Sequence, residues 1–363
     1  MTHSGPGFSG SYESADVTFL LKPVRMGFVD VAEKEAAIQT GRKHYSEMLA
    51  RETAPPPEYM ETFRDAFAAN RARVGRDVAS LAKALVERDG KETVLISLAR
   101  AGTPIGILLR RTLVTLGRRA VHYSVSIIRD RGIDRVAIKT ILSRHSAADV
   151  VFVDGWTGKG AIGNELSKAV ATDFFELVGA PLCVLSDLAG VADIAAGDED
   201  YVIPSAILNG VISGLVSRTV LNAELIGPGD FHGCVVLSHL ASLDLSRRYV
   251  DEQMKDVLAR LPDAEPARWG NEERSRAARV SAMFVKSMLA KTGTQDRNRI
   301  KPGIGEATRA LLRRMPERLF VRDPEAQDVR HLISLAAARG IEAECDPSLP
   351  YSACAVIKTL GDA

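Results

Sequence analysis

The chain has 363 residues, 46% of them hydrophobic, with 47 Lys/Arg against 46 Asp/Glu and a formal net charge of +1. That length predicts two domains, and a mean hydropathy of -0.01 belongs to an ordinary soluble protein with enough apolar residues for a sizeable core. No signal-like segment opens the chain and no apolar run approaches the ~18 residues of a membrane span, so a cytoplasmic protein with no membrane partner is expected.

Residues 1–16 are small and polar and read as a loose arm; "VTFLLKPV" (17–24) then reads as a strand ended by Pro23. Helical periodicity over 29–52 and 58–89 is split by "APPPE", where three prolines forbid continuation. Next come a buried-strand run, a Gly/Pro turn and a helix in "ETVLISLARAGTPIGILLRRTL" (92–113), then a strand in "RAVHYSVSII" (119–128). A polar, charged stretch at 129–146 reads as a mobile loop. "ADVVFVDGWTGKGAIGNELSKAV" (148–170) is a second strand, glycine turn and helix, and "PLCVLSD" (181–187) a further strand. Strands alternating with helices predict a parallel sheet covered on both faces. The stretch 201–222 fits neither helix nor strand cleanly, and "GCVVLSHL" (233–240) reads as a strand. Composition shifts near 268, so 1–268 and 269–363 are the expected domains. In the second, Ala277, Val280, Phe284 and Met288 stripe one helix, and helix, strand, helix and strand segments follow. Charge is uneven: residues 286–322 hold ten Lys/Arg against three acids, which suits a polyanion.

A helix that starts directly after a strand offers unpaired amides and the positive end of its dipole to a phosphate. Thr157, Gly158, Lys159, Gly160 and Ala161 form such a turn here, and Asp154 stands at the strand's carboxyl end, where α/β sheets bind ligands. The stretch is not a Walker A loop. "VVFVDGWTGKGAI" resembles the 5-phosphate loop of the type I phosphoribosyltransferases, and "ISLARAGTPIG" (96–106) their pyrophosphate loop, with Arg100, Ala101, Gly102 and Thr103 at its centre. Gly155 stands where that family has a second acid, and Lys159 replaces a hydroxyl residue. The resemblance implies a phosphoribosyltransferase-like parallel sheet and a ribose-phosphate ligand of the phosphoribosyl pyrophosphate kind, held with Mg²⁺. It further implies glycosyl transfer or hydrolysis, with Asp154 on the ribose, Arg100 on the leaving charge and Asp187 as a general base or metal contact.

"KPGIGEATRALLRRMPERLFVRD" (301–323) resembles the RNA-binding segment of pelota and the kink-turn-binding ribosomal proteins. That resemblance implies a small α/β/α sandwich that contacts structured RNA through Lys301, Gly303, Gly305, Glu306, Thr308 and Arg309. The family's asparagine before the glutamate is Gly305 here.

Four cysteines lie far apart, with no zinc-ligand spacing. "GPGDFHGCVVLSHLASLD" (227–244) brings His232, Cys234, His239 and Asp244 close in sequence. The chain as a whole resembles a bacterial family labelled cysteine protease StiP, associated with tellurium-resistance and stress gene clusters. That label implies a thiol nucleophile, for which Cys234 with His232 or His239 is the candidate; zinc binding by the same three is the lesser alternative. A non-catalytic RNA-binding nucleotide sensor is the third reading. No dedicated metal site is expected, and assembly into an oligomer is compatible with the sequence.

Overall fold

The computed structural model describes residues 7–358, apart from the side chains of Gln39 and Arg313. Its central sheet contains β1 (Thr18–Leu20), β2 (Thr93–Ala99), β3 (Ala120–Ile128), β4 (Val150–Val153), β5 (Leu182–Val184) and β6 (Ile194–Ala195). They lie in the order β1-β3-β2-β4-β5-β6 with every neighbouring pair parallel, and Gly132–Ile133 folds back antiparallel on β3.

The helices are α1 (Val31–Gln39), α2 (Pro57–Val86), α3 (Thr103–Thr115), α4 (Arg135–Leu142), α5 (Ala161–Asp173), α6 (Ser246–Arg260) and α7 (Asn271–Thr292). Side chains along β2 alternate between two cores. Leu95 faces Val78 of α2, Leu108 of α3 and Val250 of α6, while Val94, Ile96 and Leu98 face Ile138 of α4 and Leu166 of α5. Helices therefore cover both faces. Because β2 feeds leftward through α3 to β3, and β4 feeds rightward through α5 to β5, the winding reverses between β2 and β4. That is the switch point at which such sheets place ligands.

The second sheet is β7 (Ile300–Pro302), β8 (Pro316–Val321), β9 (Ala343–Cys345) and β10 (Ala353–Ile357), ordered β7-β10-β8-β9. Helices α8 (Gly303–Arg313) and α9 (Arg330–Ala337) pack on one face through Ile304, Leu311, Leu332 and Leu335. On the other face, α7 lays Phe284, Val285 and Met288 against Phe320 and Val356. The result is the expected three-layer arrangement. One apolar cluster runs from Val78 to Ile304 and Leu311, so the two sheets share a continuous core.

Several expectations are corrected. Within the arm, residues from Gly7 onward are packed: Phe8 bridges Phe19 and the buried Tyr12 donates to the Ile212 carbonyl at 2.9 Å; residues 1–6 lie outside the described residues. The periodicity over 29–52 overruns, since α1 stops at Gln39 and Gly41 takes a left-handed φ of 68°. The stretch at 129–146 is not a loop, because Asp134 caps α4 by accepting from the Val136 and Ala137 amides at 2.9 and 3.0 Å. "GCVVLSHL" is strand only at Gly233–Cys234, and turns into a 3₁₀ helix at Ser238. Among the described residues, no helix is long and apolar enough to cross a membrane.

Candidate functional site

The turns that leave β2 and β4 touch: a Cβ on Gly102 would lie 2.4 Å from the Val153 carbonyl oxygen. Arg100 is engaged twice. Its Nη2 lies 2.6 Å from Glu52 Oε1, and its Nη1 donates to the Val216 carbonyl at 2.5 Å. Ala101 and Gly102 make the turn, and the buried Thr103 hydroxyl bonds that of Ser124 at 2.8 Å.

On the other side, burial pushes the Asp154 carboxyl up to about 6, against the Gly155 amide and the Arg309 charge. The Thr157 hydroxyl donates to Asp187 Oδ1 at 2.6 Å and accepts from the Ala189 amide at 3.0 Å. Lys159 donates to the carbonyls of Arg297 and Ile300 at 2.5 and 3.3 Å, and burial pulls its ammonium down to about 8. Gly160 caps α5 from the left-handed region, φ 77°, which places the Ala161 amide at the helix mouth. Asp187 is fully buried and saturated. Beyond Thr157, it accepts from Val191, Ala192 and the Trp269 indole at 3.1, 2.8 and 3.3 Å.

Helix α8 closes over this mouth. Asp200 accepts from the Ile304 and Ser352 amides, each at 2.8 Å, and Tyr351 donates to the Leu188 carbonyl at 3.0 Å. The Arg309 guanidinium lies 5.7 Å from the Trp156 ring centre. Gly303, Gly305 and Thr308 are buried, and the Thr308 hydroxyl bonds Ile304 O and His331 Nε2 at 2.7 and 2.8 Å. Lys301, Glu306 and Arg309 remain half-buried. Half of the residues expected on RNA thus face the first sheet or the domain's own interior.

Cys234 is fully buried, and burial pushes its thiol up to about 12 while the Arg100 charge pulls the other way. His232 turns away. Its amide donates to Asp134 Oδ2 at 2.5 Å and its Nδ1 meets Ser126 Oγ at 2.9 Å. Asp244 accepts from Ser246 at the start of α6, at 3.0 Å from the amide and 2.6 Å from the hydroxyl. The exposed His239 holds the Glu52 carbonyl at 2.9 Å, so it joins Cys234 only through Glu52 and Arg100.

Residues 10–254 match the family described as "Tellurite-like stress resistance cysteine protease StiP". The chain belongs to the StiP family. Residues 279–359 match the PELOTA RNA binding domain. One StiP relative, "Cysteine protease StiP" of Acinetobacter baylyi (strain ATCC 33305 / BD413 / ADP1), is 40% identical over 368 residues, covering 98% of this chain and 95% of the relative. No solved structure matches.

StiP membership overturns the glycosyl-transfer expectation, because both family and relative are named for a cysteine protease and not for a phosphoribosyltransferase. The geometry supplies physical reasons. The hydroxyl and ammonium of the 157–161 turn are engaged inside the protein, and Glu52 neutralises Arg100. A Cβ on Gly158 would lie 2.5 Å from Glu306 Cγ, so a carboxylate chain lies where the phosphate was to sit. Among the described residues no three His, Cys, Asp or Glu side chains gather as metal ligands, so His232, Cys234 and His239 do not assemble a zinc site in this StiP chain.

Sequence reasoning missed Glu52, Trp156 and Asp200. Glu52 fell within a presumed helix. A tryptophan inside a glycine turn was the one available signal, since so large an apolar ring needs a partner surface.

Proposed function

We propose that this chain is a cysteine peptidase with Cys234 as nucleophile, delivered to structured RNA by its C-terminal domain. What carries the reading is the placement of Cys234 beside Arg100 within the stretch that matches the protease family. Of the other free thiols, Cys183 sits in the middle of the parallel sheet, and Cys345 and Cys354 belong to the second sheet. The Arg100 charge draws the thiol down, but Glu52 shares that charge and burial dominates, holding the thiol up to about 12 until the segment opens. Glu52 aims that guanidinium, and its carbonyl holds His239, the exposed imidazole of the segment.

In the reaction His239 takes the thiol proton and Sγ attacks the peptide carbonyl. The C–N bond breaks, the amine leaves with that proton, and water then cleaves the thioester to a carboxylate and the restored thiol. A fully buried Sγ requires the 227–244 segment to open first. A cytoplasmic setting, which keeps thiols reduced, suits this chemistry. The test is cleavage of an unstructured protein substrate, with mass-spectrometric mapping of thiol labelling. The expected outcome is cleavage that disappears in Cys234→Ala and labelling at Cys234 that grows when denaturant loosens the fold. Cleavage that persists in Cys234→Ala removes the assignment.

A further inference from the structure

Lys34, Arg218, Lys301 and Arg314 come together where α1, the 201–222 stretch, β7 and the end of α8 converge. Each of the four feels the charge of another in the group, with Arg314 common to the other three. Arg129 and Arg309 add their charges to the Lys301 side of the group. Such a gathering costs stability unless carboxylates match it. They do so only in part: Glu52 acts on Lys34 and Arg218 from a distance while it pairs with Arg100. Glu35 pairs with Arg314 at 3.0 Å, Glu306 with Arg309 at 3.5 Å and Asp130 with Arg129 at 3.3 Å. Among the described residues, no carboxylate lies within ion-pair distance of Lys34, Arg218 or Lys301. Two guanidinium nitrogens, Arg218 Nη1 and Arg314 Nε, are buried with no hydrogen-bond partner. Arg218 otherwise donates to the carbonyls of Tyr45 and Met48, which hold the group in place without neutralising it.

We propose that this seam between the two sheets is a binding site for a phosphate-bearing anion, shared by Lys34 and Arg218 of one domain and Lys301 and Arg314 of the other. The Lys34 and Lys301 ammonium groups, on half-buried side chains outside any ion pair among the described residues, are the donors a multiply charged oxyanion would meet, while the two orphaned guanidinium nitrogens are sealed from solvent and contribute their charge. Burial draws Lys34 down to about 8 and Arg218 to about 10, as expected of cations that lack counter-charge. The site adjoins the Cys234 machinery, since Arg218 feels the charges of Arg100 and Glu52, but its test does not depend on the peptidase reading. Phosphate could arrive as a free polyphosphate or along an RNA backbone.

The test uses the full chain, with inorganic pyrophosphate and a bulged RNA hairpin as separate probes, read by thermal shift and titration. Without ligand, Lys301→Met is expected to melt roughly 2 °C or more above wild type, because a repelled buried charge is gone. Pyrophosphate should raise the wild-type midpoint, with affinity falling at least about tenfold in both Lys301→Met and Lys34→Met. Hairpin binding that pyrophosphate displaces assigns the site to RNA phosphates; pyrophosphate binding that the hairpin leaves untouched assigns it to a free anion. The proposal is overturned if neither probe binds, if binding is unchanged in Lys34→Met, or if Lys301→Met melts below wild type.

Discussion

Two buried charged groups in this protein stand in contrast. Asp187 has each carboxylate oxygen filled by donors from Thr157, Val191, Ala192 and Trp269, and every one of those donors is internal. The Lys34–Arg218–Lys301–Arg314 group has donors left over. The difference teaches that a buried charge is a brace when its valences are closed and a docking point when they are open. Asp187 was read from sequence as a general base or metal contact, yet its environment makes it the first kind. It knots the β4 turn to the β5 turn.

The contrast can be broken or sharpened by removing carboxylates that differ in saturation. The largest loss is expected for Asp187→Ala, which strands four donors; roughly 3–5 kcal/mol should vanish from the urea unfolding free energy. A loss under about 1 kcal/mol would dissolve the contrast. Asp154→Asn should move the other way, because its carboxyl accepts from the Gly155 amide at 2.8 Å and is raised to about 6 by burial. A folded-state value above the unfolded one means the ionised wild type is penalised at neutral pH. The asparagine variant should therefore be more stable by about 2–3 kcal/mol above pH 6, and its advantage should fade as pH falls towards about 4. Paired unfolding curves at pH 7 and pH 4 check this. The smallest effect is expected for Asp200→Ala. It uncovers the Ile304 and Ser352 amides but relieves a carboxyl that burial also raises to about 6, for a net loss of about 1–2 kcal/mol. Because those amides belong to the second sheet's unit, limited proteolysis between residues 262 and 272 should quicken in that variant.

Much of the architecture was legible in the sequence, and for local reasons. The apolar runs of β2, β3, β4 and β5 bury both faces, and α2 follows directly on the prolines that halt what precedes it. The stripe Ala277, Phe284 and Met288 does lie buried in α7. Illegible were stretches whose order is not repetitive. Residues 201–222 are mostly buried yet built from 3₁₀ turns at Pro204 and Gly210, so neither period appears. Helix α6, which buries Tyr249, Val250, Met254 and Val257 against α2 and α3, escaped notice amid its charged residues.

The site was legible only as fragments. Gly-rich turns announced themselves, but that Thr157, Lys159 and Arg100 satisfy internal partners depends on residues 30 to 141 positions away. The RNA-type motif likewise showed its helix and not its neighbour. What a motif binds depends on which surfaces remain open, and non-local packing decides that.

One consequence rests on missing atoms. A Cβ on Gly305 would come within 2.6 Å of the Trp156 ring, just as one on Gly158 would strike Glu306. Where relatives of the pelota kind carry asparagine, this chain has an empty notch cut for an indole. Swapping in a pelota module that bears the asparagine would jam that notch, so the two halves form a matched set, interchangeable only together.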